Sequence, residues 1–322
     1  MRPLLVAALC LCPLLTPPGV AQQTAPAPAS PAPPAPATAP PATAPEPPRS
    51  LDEALQALDQ GRSTSFKEVP FEYVLEFHEA ADKRTYASVT LGFHPEEIRK
   101  VAGGDVTPQM FVCLRGLAES AMRYDFVEPT DFAEGTPAGS SDMRVFQTGT
   151  ALDPGPYRFS VGVWVPGRAL AGGRSEQVVA PNFTSSTIEL SSLTLAASVE
   201  RAAGSESPFK RPFIWGNFKI IPRVLASFPR QEPLRLYSQI YNAAPEPSSG
   251  KPKLDITYTV YQKKDGKFLP ASPQTIRNQS NQVAIYELPV ATWPAGEFKI
   301  QVQVRDSISN AVASRELLFE LR

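Results

Sequence analysis

Apolar and polar positions alternate with a period of two over most of the chain beyond residue 66. Residues 71–77 (Phe-Glu-Tyr-Val-Leu-Glu-Phe) and 86–93 show it, then 109–114, 122–127 and 143–148. It recurs at 213–221, 234–241, 254–262, 283–287 and 315–321. A period of two turns one side of a strand into a core. Short strands separated by Gly, Pro and Asp turns predict a sandwich. Lys264, Asp265 and Gly266 predict a tight hairpin into Phe268 and Leu269, with the glycine at positive φ. Residues 167–173 and 202–208 read as loops, and 95–100 as one turn of helix. Residues 177–179 close the first unit, and 188–195 either start the second or cross over from the first.

A helical period appears near the start. Ser50 and Glu53 form a capping-box pair, Leu51, Leu55 and Leu58 share one face, and Gly61 follows. A short helix over 50–61 is expected, packed on the first β-unit.

One stretch occurs twice. Residues 152–165 return at 293–306, each copy a Pro/Gly turn feeding a strand. Gly155 answers Gly296, Tyr157 answers Phe298, and Phe159, Val161 and Val163 answer Ile300, Val302 and Val304. Residues 87–93 correspond in role to 234–241, 109–114 to 254–260, and 144–146 to 284–286. The expected fold class is therefore all-β. Two tandem immunoglobulin/fibronectin-III-like β-sandwiches occupy 66–182 and 187–322, with a boundary at 181–187. Tyr157 and Phe298 stand where such sandwiches place a corner aromatic, and only Tyr157 carries the hydroxyl a tyrosine corner needs.

The first 21 residues change the picture of where this fold works. Arg2, an apolar run over 4–15 and the exit Gly19-Val20-Ala21 read as a secretory signal peptide cleaved after Ala21. The run is shorter than the roughly 20 residues a bilayer span needs. No later segment is apolar enough to span, so the mature chain is expected to lack a transmembrane segment and to be periplasmic or secreted. Residues 22–49 are Pro/Ala-rich, with 11 prolines between 22 and 48, and read as a disordered leader or tether.

Cys10 and Cys12 lie in the signal segment, so Cys113 is the single mature cysteine and the chain is no disulfide-stapled miniprotein. Its setting, Met-Phe-Val-Cys-Leu, reads as a buried small hydrophobe. The 31 Lys+Arg against 32 Asp+Glu leave no basic surplus, which argues against nucleic-acid partners.

Templates for chemistry find little. The two histidines, His78 and His94, lack ligand spacing and read as surface or strand-edge residues. Gly250-Lys251 is a turn, not a phosphate loop, and no nucleophile elbow occurs. Asn182-Phe-Thr184 and Asn278-Gln-Ser280 match glycosylation triplets. Trp164, Trp215 and Trp293 fit core or domain-junction positions better than a carbohydrate platform, and Trp215 in particular suits an interdomain contact. No catalytic, cofactor-binding or metal residue is nominated, and no cofactor is expected.

The segment 190–196 (Leu-Ser-Ser-Leu-Thr-Leu-Ala), Pro212-Phe213-Ile214 leading to 220–223, and 236–242 form an ordered set with Gly250-Lys251-Pro252 and the Gly-x-Phe strand ending at Asp306. This set resembles the C-terminal β-sandwich region of exported bacterial GWxTD-domain proteins and related von Willebrand-A-like secreted proteins. The resemblance covers about 185–322 and, more loosely, 66–180. The Gly-Trp-x-Thr-Asp sequence itself is absent, as is the metal-adhesion Asp-x-Ser-x-Ser. The resemblance implies architecture and export and carries over no site residue. The expected function is an exported, non-catalytic interaction or scaffold module of the cell envelope, with an envelope or extracellular protein as partner. The alternatives are a carbohydrate-binding module taking polysaccharide, and a hydrolase of wall or extracellular polymer with two carboxylates in a cleft.

Overall fold

Helix α1 (Leu51–Asp59) begins as its capping box dictates, the Ser50 side chain accepting from Glu53 N–H at 3.2 Å. The Glu53 carboxylate reaches one residue further back than the usual box and accepts from Arg49 N–H at 2.7 Å. Leu58 and Ala54 are buried against Phe66, Phe111 and Trp164 on the outer face of the sheet below. An Arg115–Asp59 ion pair at 3.0 Å holds the last turn. The helix packs on the first β-unit, as its apolar stripe implies.

In this computed structural model the described residues are 48–117, 123–129, 135–138, 142–206, 212–270 and 274–322. The expected signal peptide, the leader as far as residue 47, Met122 and residues 207–208 lie outside them. The first unit contains β1 (Ser65–Lys67), β2 (Glu72–Glu79), β3 (Thr85–Phe93), α2 (Pro95–Ala102), β4 (Gln109–Gly116), β5 (Arg123–Pro129), β6 (Thr136–Pro137), β7 (Arg144–Leu152), β8 (Gly155–Val165) and β9 (Leu170–Ala180). The sheets β1-β9-β8-β4-β5 and β2-β3-β7-β6 close over one core of Val89, Leu91, Phe159, Val161 and their neighbours.

The second unit contains β10 (Glu189–Leu190), β11 (Thr194–Glu206), β12 (Ile214–Pro222), β13 (Ser227–Phe228), β14 (Leu234–Tyr241), β15 (Leu254–Lys264), β16 (Lys267–Pro270), β17 (Gln274–Gln279), β18 (Val283–Leu288), β19 (Gly296–Asp306) and β20 (Val312–Leu321). Here β10-β14-β11-β12, with β18 on β14, faces β13-β20-β19-β15-β16, with β17 on β15. Leu236, Ile256, Ile300, Val302 and Phe319 lie in the core between them.

The duplication extends to pairing. Strands β8 and β19 each run 11 residues from a positive-φ glycine, Gly155 at +147° and Gly296 at +135°. Side chains rarely adopt that backbone, which is why the repeat keeps glycine there. Leu114 pairs with Phe159, and Val260 with Ile300 in the second copy. Leu91 pairs with Phe146, and Leu236 with Tyr286. These are two immunoglobulin/fibronectin-III-like sandwiches of one plan.

Three expectations of the fold need correction. Residues 170–173 are not loop: the chain turns within 166–169 and β9 begins at Leu170, because Gly172 and Gly173 pair across to Val163 and Gly162. Residues 202–206 continue β11 beyond a register shift against β12. The helix after His94 runs two turns, started by Pro95 in its first turn and ended by Gly103 in the left-handed region. The tight hairpin at residues 264–267 forms as expected with Gly266 at +76°, and Asp265 beside it also takes positive φ, at +49°.

Candidate functional site

All nine residues of β3 are buried. A strand alternating in this way normally leaves one face to solvent, but here the second face of the β2-β3-β7 sheet is covered by the second sandwich. Ala80, Tyr86 and Ala151 meet Ala196, Trp215, Ile220 and Tyr237. Beside them Met143 and Val145 meet Ala197, Phe213 and Ile221. Trp215 is therefore a junction residue, 6% exposed.

Hydrogen bonds stitch the same junction. Ser192 Oγ accepts from Phe77 N–H at 2.8 Å, while Ser192 N–H donates to Phe77 C=O at 2.9 Å. Tyr241 Oη accepts from Glu79 N–H at 3.0 Å. Gln147 Oε1 accepts from Phe213 N–H at 2.7 Å, and its Nε2 donates to Thr90 Oγ1 at 3.1 Å.

Alternation on β2 sends Leu75 and Phe77 into the first core and Glu76 and His78 into the junction. His78 is fully buried, against the surface or strand-edge position expected for it, and its ring lies 3.9 Å from that of Trp215. Burial lowers its pKa to about 3, opposed by Gln239, so it is neutral. Glu76 is 3% exposed, and burial raises its pKa to about 7 against the effect of its hydrogen bond with Thr194. Ser88 Oγ is buried with no hydrogen-bond partner among the described residues, while Gln239 reaches toward both His78 and Tyr237. The sequence signal for this cluster was an alternating strand with a histidine and a glutamate on its polar side.

Next to the junction opens a groove of about 350 Å³. One wall is the start of β2, the other is β20, and the floor carries Leu193, Leu195 and Val224. Arg223 and Arg315 border it, as do Glu76 and Glu316. Glu316 accepts from Lys299 Nζ at 2.9 Å. A second groove of about 520 Å³ lies between β12 and β18, near Phe218 and Ile285.

The remaining residues singled out by sequence do not converge. Cys113 is buried in β4. His94 caps α2 without a side-chain bond. Trp164 lies under α1 and Trp293 packs on Phe298, so the three tryptophans form no exposed platform. Asn182 folds back on its own turn, accepting from Thr184 N–H at 2.9 Å, and Asn278 belongs to β17. Among the described residues no group of three or more His, Cys, Asp or Glu is placed to hold a metal. No helix among them is long and apolar enough to cross a membrane.

No protein-family model matches the chain, and no curated protein matches it. Solved structures that match include the chicken interferon gamma receptor alpha chain, 8% identical, over 78% of this chain and 98% of that one, with a TM-score of 0.22. At that score the superposition is loose, and the immunoglobulin-like assignment rests on the strand order, the repeated pairing and the Tyr157 corner.

Proposed function

We propose that the protein is a non-catalytic interaction module of the cell envelope, exported through its signal peptide and held off its anchor by the Pro/Ala leader. The observation that carries this reading is the junction. Two sandwiches fastened face to face present a groove walled by strands, which suits recognition of another chain. The resemblance noted at residues 185–322 agrees with export. The test is a pull-down from envelope extract, with the mature chain as bait at micromolar concentration, followed by chemical cross-linking. A reproducible cross-linked partner supports the reading, and recovery of background proteins alone counts against it.

One observation favours a second reading. Glu76 and Glu316 border the same groove, and the first has a pKa raised toward neutrality, the pattern of an acid paired with a carboxylate. Hydrolysis of peptidoglycan or polysaccharide by the parent chain, lost in Glu76→Gln and Glu316→Gln, would replace the first reading. Glu316 is held by Lys299 and Gln301 on the outer face of β20, while Glu76 is closed in by Thr194. The interaction reading is therefore preferred.

A further inference from the structure

Both walls of the groove are open strand edges. On β2, Phe77 and Glu79 direct their N–H groups away from β3, to Ser192 and Tyr241. In an antiparallel ladder this alternates residue by residue, so Tyr73 and Leu75 also face outward. Their N–H groups have no partner among the described residues. On β20, Glu320 and Arg322 donate outward to Ala226 and Phe228 C=O, which puts the Glu316 and Leu318 groups on the same open edge. Unpaired edge groups of this kind are a template for another strand.

The chain already uses the β2 edge in this way. Ser192 pairs with Phe77 through its N–H and its hydroxyl, and the groove continues the same edge past that contact. The floor is apolar, while Leu318 at the rim is 60% exposed. Two guanidinium groups border it. Arg315 donates to Leu190 C=O at 3.0 Å, lies 3.8 Å from the Glu189 carboxylate and is 39% exposed, which leaves room for a second carboxylate. The Arg223 side chain is 8% exposed and its guanidinium is already paired with Glu232, with Nε alone lacking a partner among the described residues, so Arg315 is the more available of the two.

We infer that the groove takes an extended peptide segment of a partner protein, added as a strand to β2 at Tyr73 and Leu75, with an apolar side chain on the Leu193 floor and a carboxylate at Arg315. This rests on the interaction reading and names the partner's chemistry: an extended segment alternating apolar and acidic residues. At roughly 3.3 Å per residue, about four residues fill the open stretch.

The probe is a displayed library of random heptapeptides selected on the mature chain. Enriched sequences should alternate apolar with acidic residues. The best peptide should slow amide exchange at Tyr73 and Leu75 at least tenfold. Its affinity should fall about tenfold in Arg315→Ala, and it should be lost when Leu318→Lys is added. Both positions are solvent-accessible, and a thermal melt checks that each variant is folded. Failure to enrich any sequence, unchanged exchange at Tyr73 and Leu75, or equal binding to the double variant overturns the inference. An envelope partner that the double variant retains leaves the interaction reading standing without the groove.

Discussion

The hydroxyl of Tyr157 donates to the backbone C=O of Asp153 at 3.0 Å, four residues upstream and just ahead of the glycine that opens β8. This is the tyrosine corner of an immunoglobulin-type sandwich, and it fixes the turn into the central strand of the first unit. The second copy has Phe298 at that position. There the ring of Trp293 packs on Phe298 with centroids 5.3 Å apart, an aromatic contact in place of the hydrogen bond. Tyr157→Phe should therefore cost about 1 kcal/mol. Chemical denaturation with an unchanged slope checks it, and no change in midpoint would mean that the corner is held by packing alone.

Stability against pH should reveal the Glu76–His78 pair by cancellation. Glu76 has its folded pKa raised from 4.5 to about 7, so its contribution is complete below 4.5 and is lost as pH rises through 7. His78 has its folded pKa lowered from 6.5 to about 3, so its contribution is complete above 6.5 and is lost as pH falls toward 3. Between pH 4.5 and 6.5 the two slopes oppose, and the parent protein should be nearly flat. Glu76→Gln leaves the histidine slope alone, and stability should fall below pH 6.5 by up to about 1.4 kcal/mol per pH unit. His78→Phe should show the reverse, gaining stability as pH drops from 7. Denaturant midpoints across pH 4–8 decide the matter, and two variants with parent-like flat profiles would refute the coupling.

Trp215 joins the sandwiches through His78 and Tyr86, whose rings lie 3.9 and 5.6 Å from its own. Trp215→Ala should cost on the order of 3–5 kcal/mol. It should also open the chain to protease within 181–188, a stretch the parent is expected to protect. Cleavage patterns that match between parent and variant would show that the junction does not depend on this ring.

Asp306 closes the second sandwich at the end of the repeated strand. Burial would raise its pKa, but donors at Ala244 N–H, Ile308 N–H and Ser309 Oγ reverse this and hold it below the usual carboxylate value. Asp306→Ala leaves two backbone N–H groups without their acceptor and should cost about 2–4 kcal/mol. The acid's contribution is present above pH 3.8 and is lost as pH falls through its lower folded value. Urea unfolding at pH 7 and pH 3 tests both statements, since the gap between parent and variant should narrow at the lower pH.

The strand cores are legible in the sequence because alternation is a local signal. At Val89 and Leu91 the period of two marks the inward residues without reference to anything distant. His78 is misplaced for a related reason. Alternation tells which residues share a face, and Glu76 and His78 do share one, but it is silent on what covers that face. A polar side of β2 looks the same whether water or a second sandwich lies against it. Trp215 was readable as a junction residue because Phe213, Ile214 and Phe218 crowd around it in the chain. A groove beside that junction could be expected, but the residues that line it could not, since Tyr73 and Leu318 are 245 residues apart and come to one groove only through the sandwich-to-sandwich packing.

The matched strands β8 and β19 leave the chain with two hairpins of the same backbone pairing. Gly155 stands opposite Ala180 as Gly296 stands opposite Leu321, so backbone geometry alone does not tell β9 from β20 as a mate. Repeated units of this kind are prone to exchange strands while folding. Side chains must supply the discrimination, and α1 is well placed to do so. A Cβ on Gly173 would come within 3.0 Å of Leu58 Cδ1, so the helix settles closely only over a strand that is bare at that point. On this geometry the short N-terminal helix acts as a proofreader of strand identity, and trimming it should raise the yield of strand-exchanged dimers on refolding at high concentration, as read by size-exclusion chromatography.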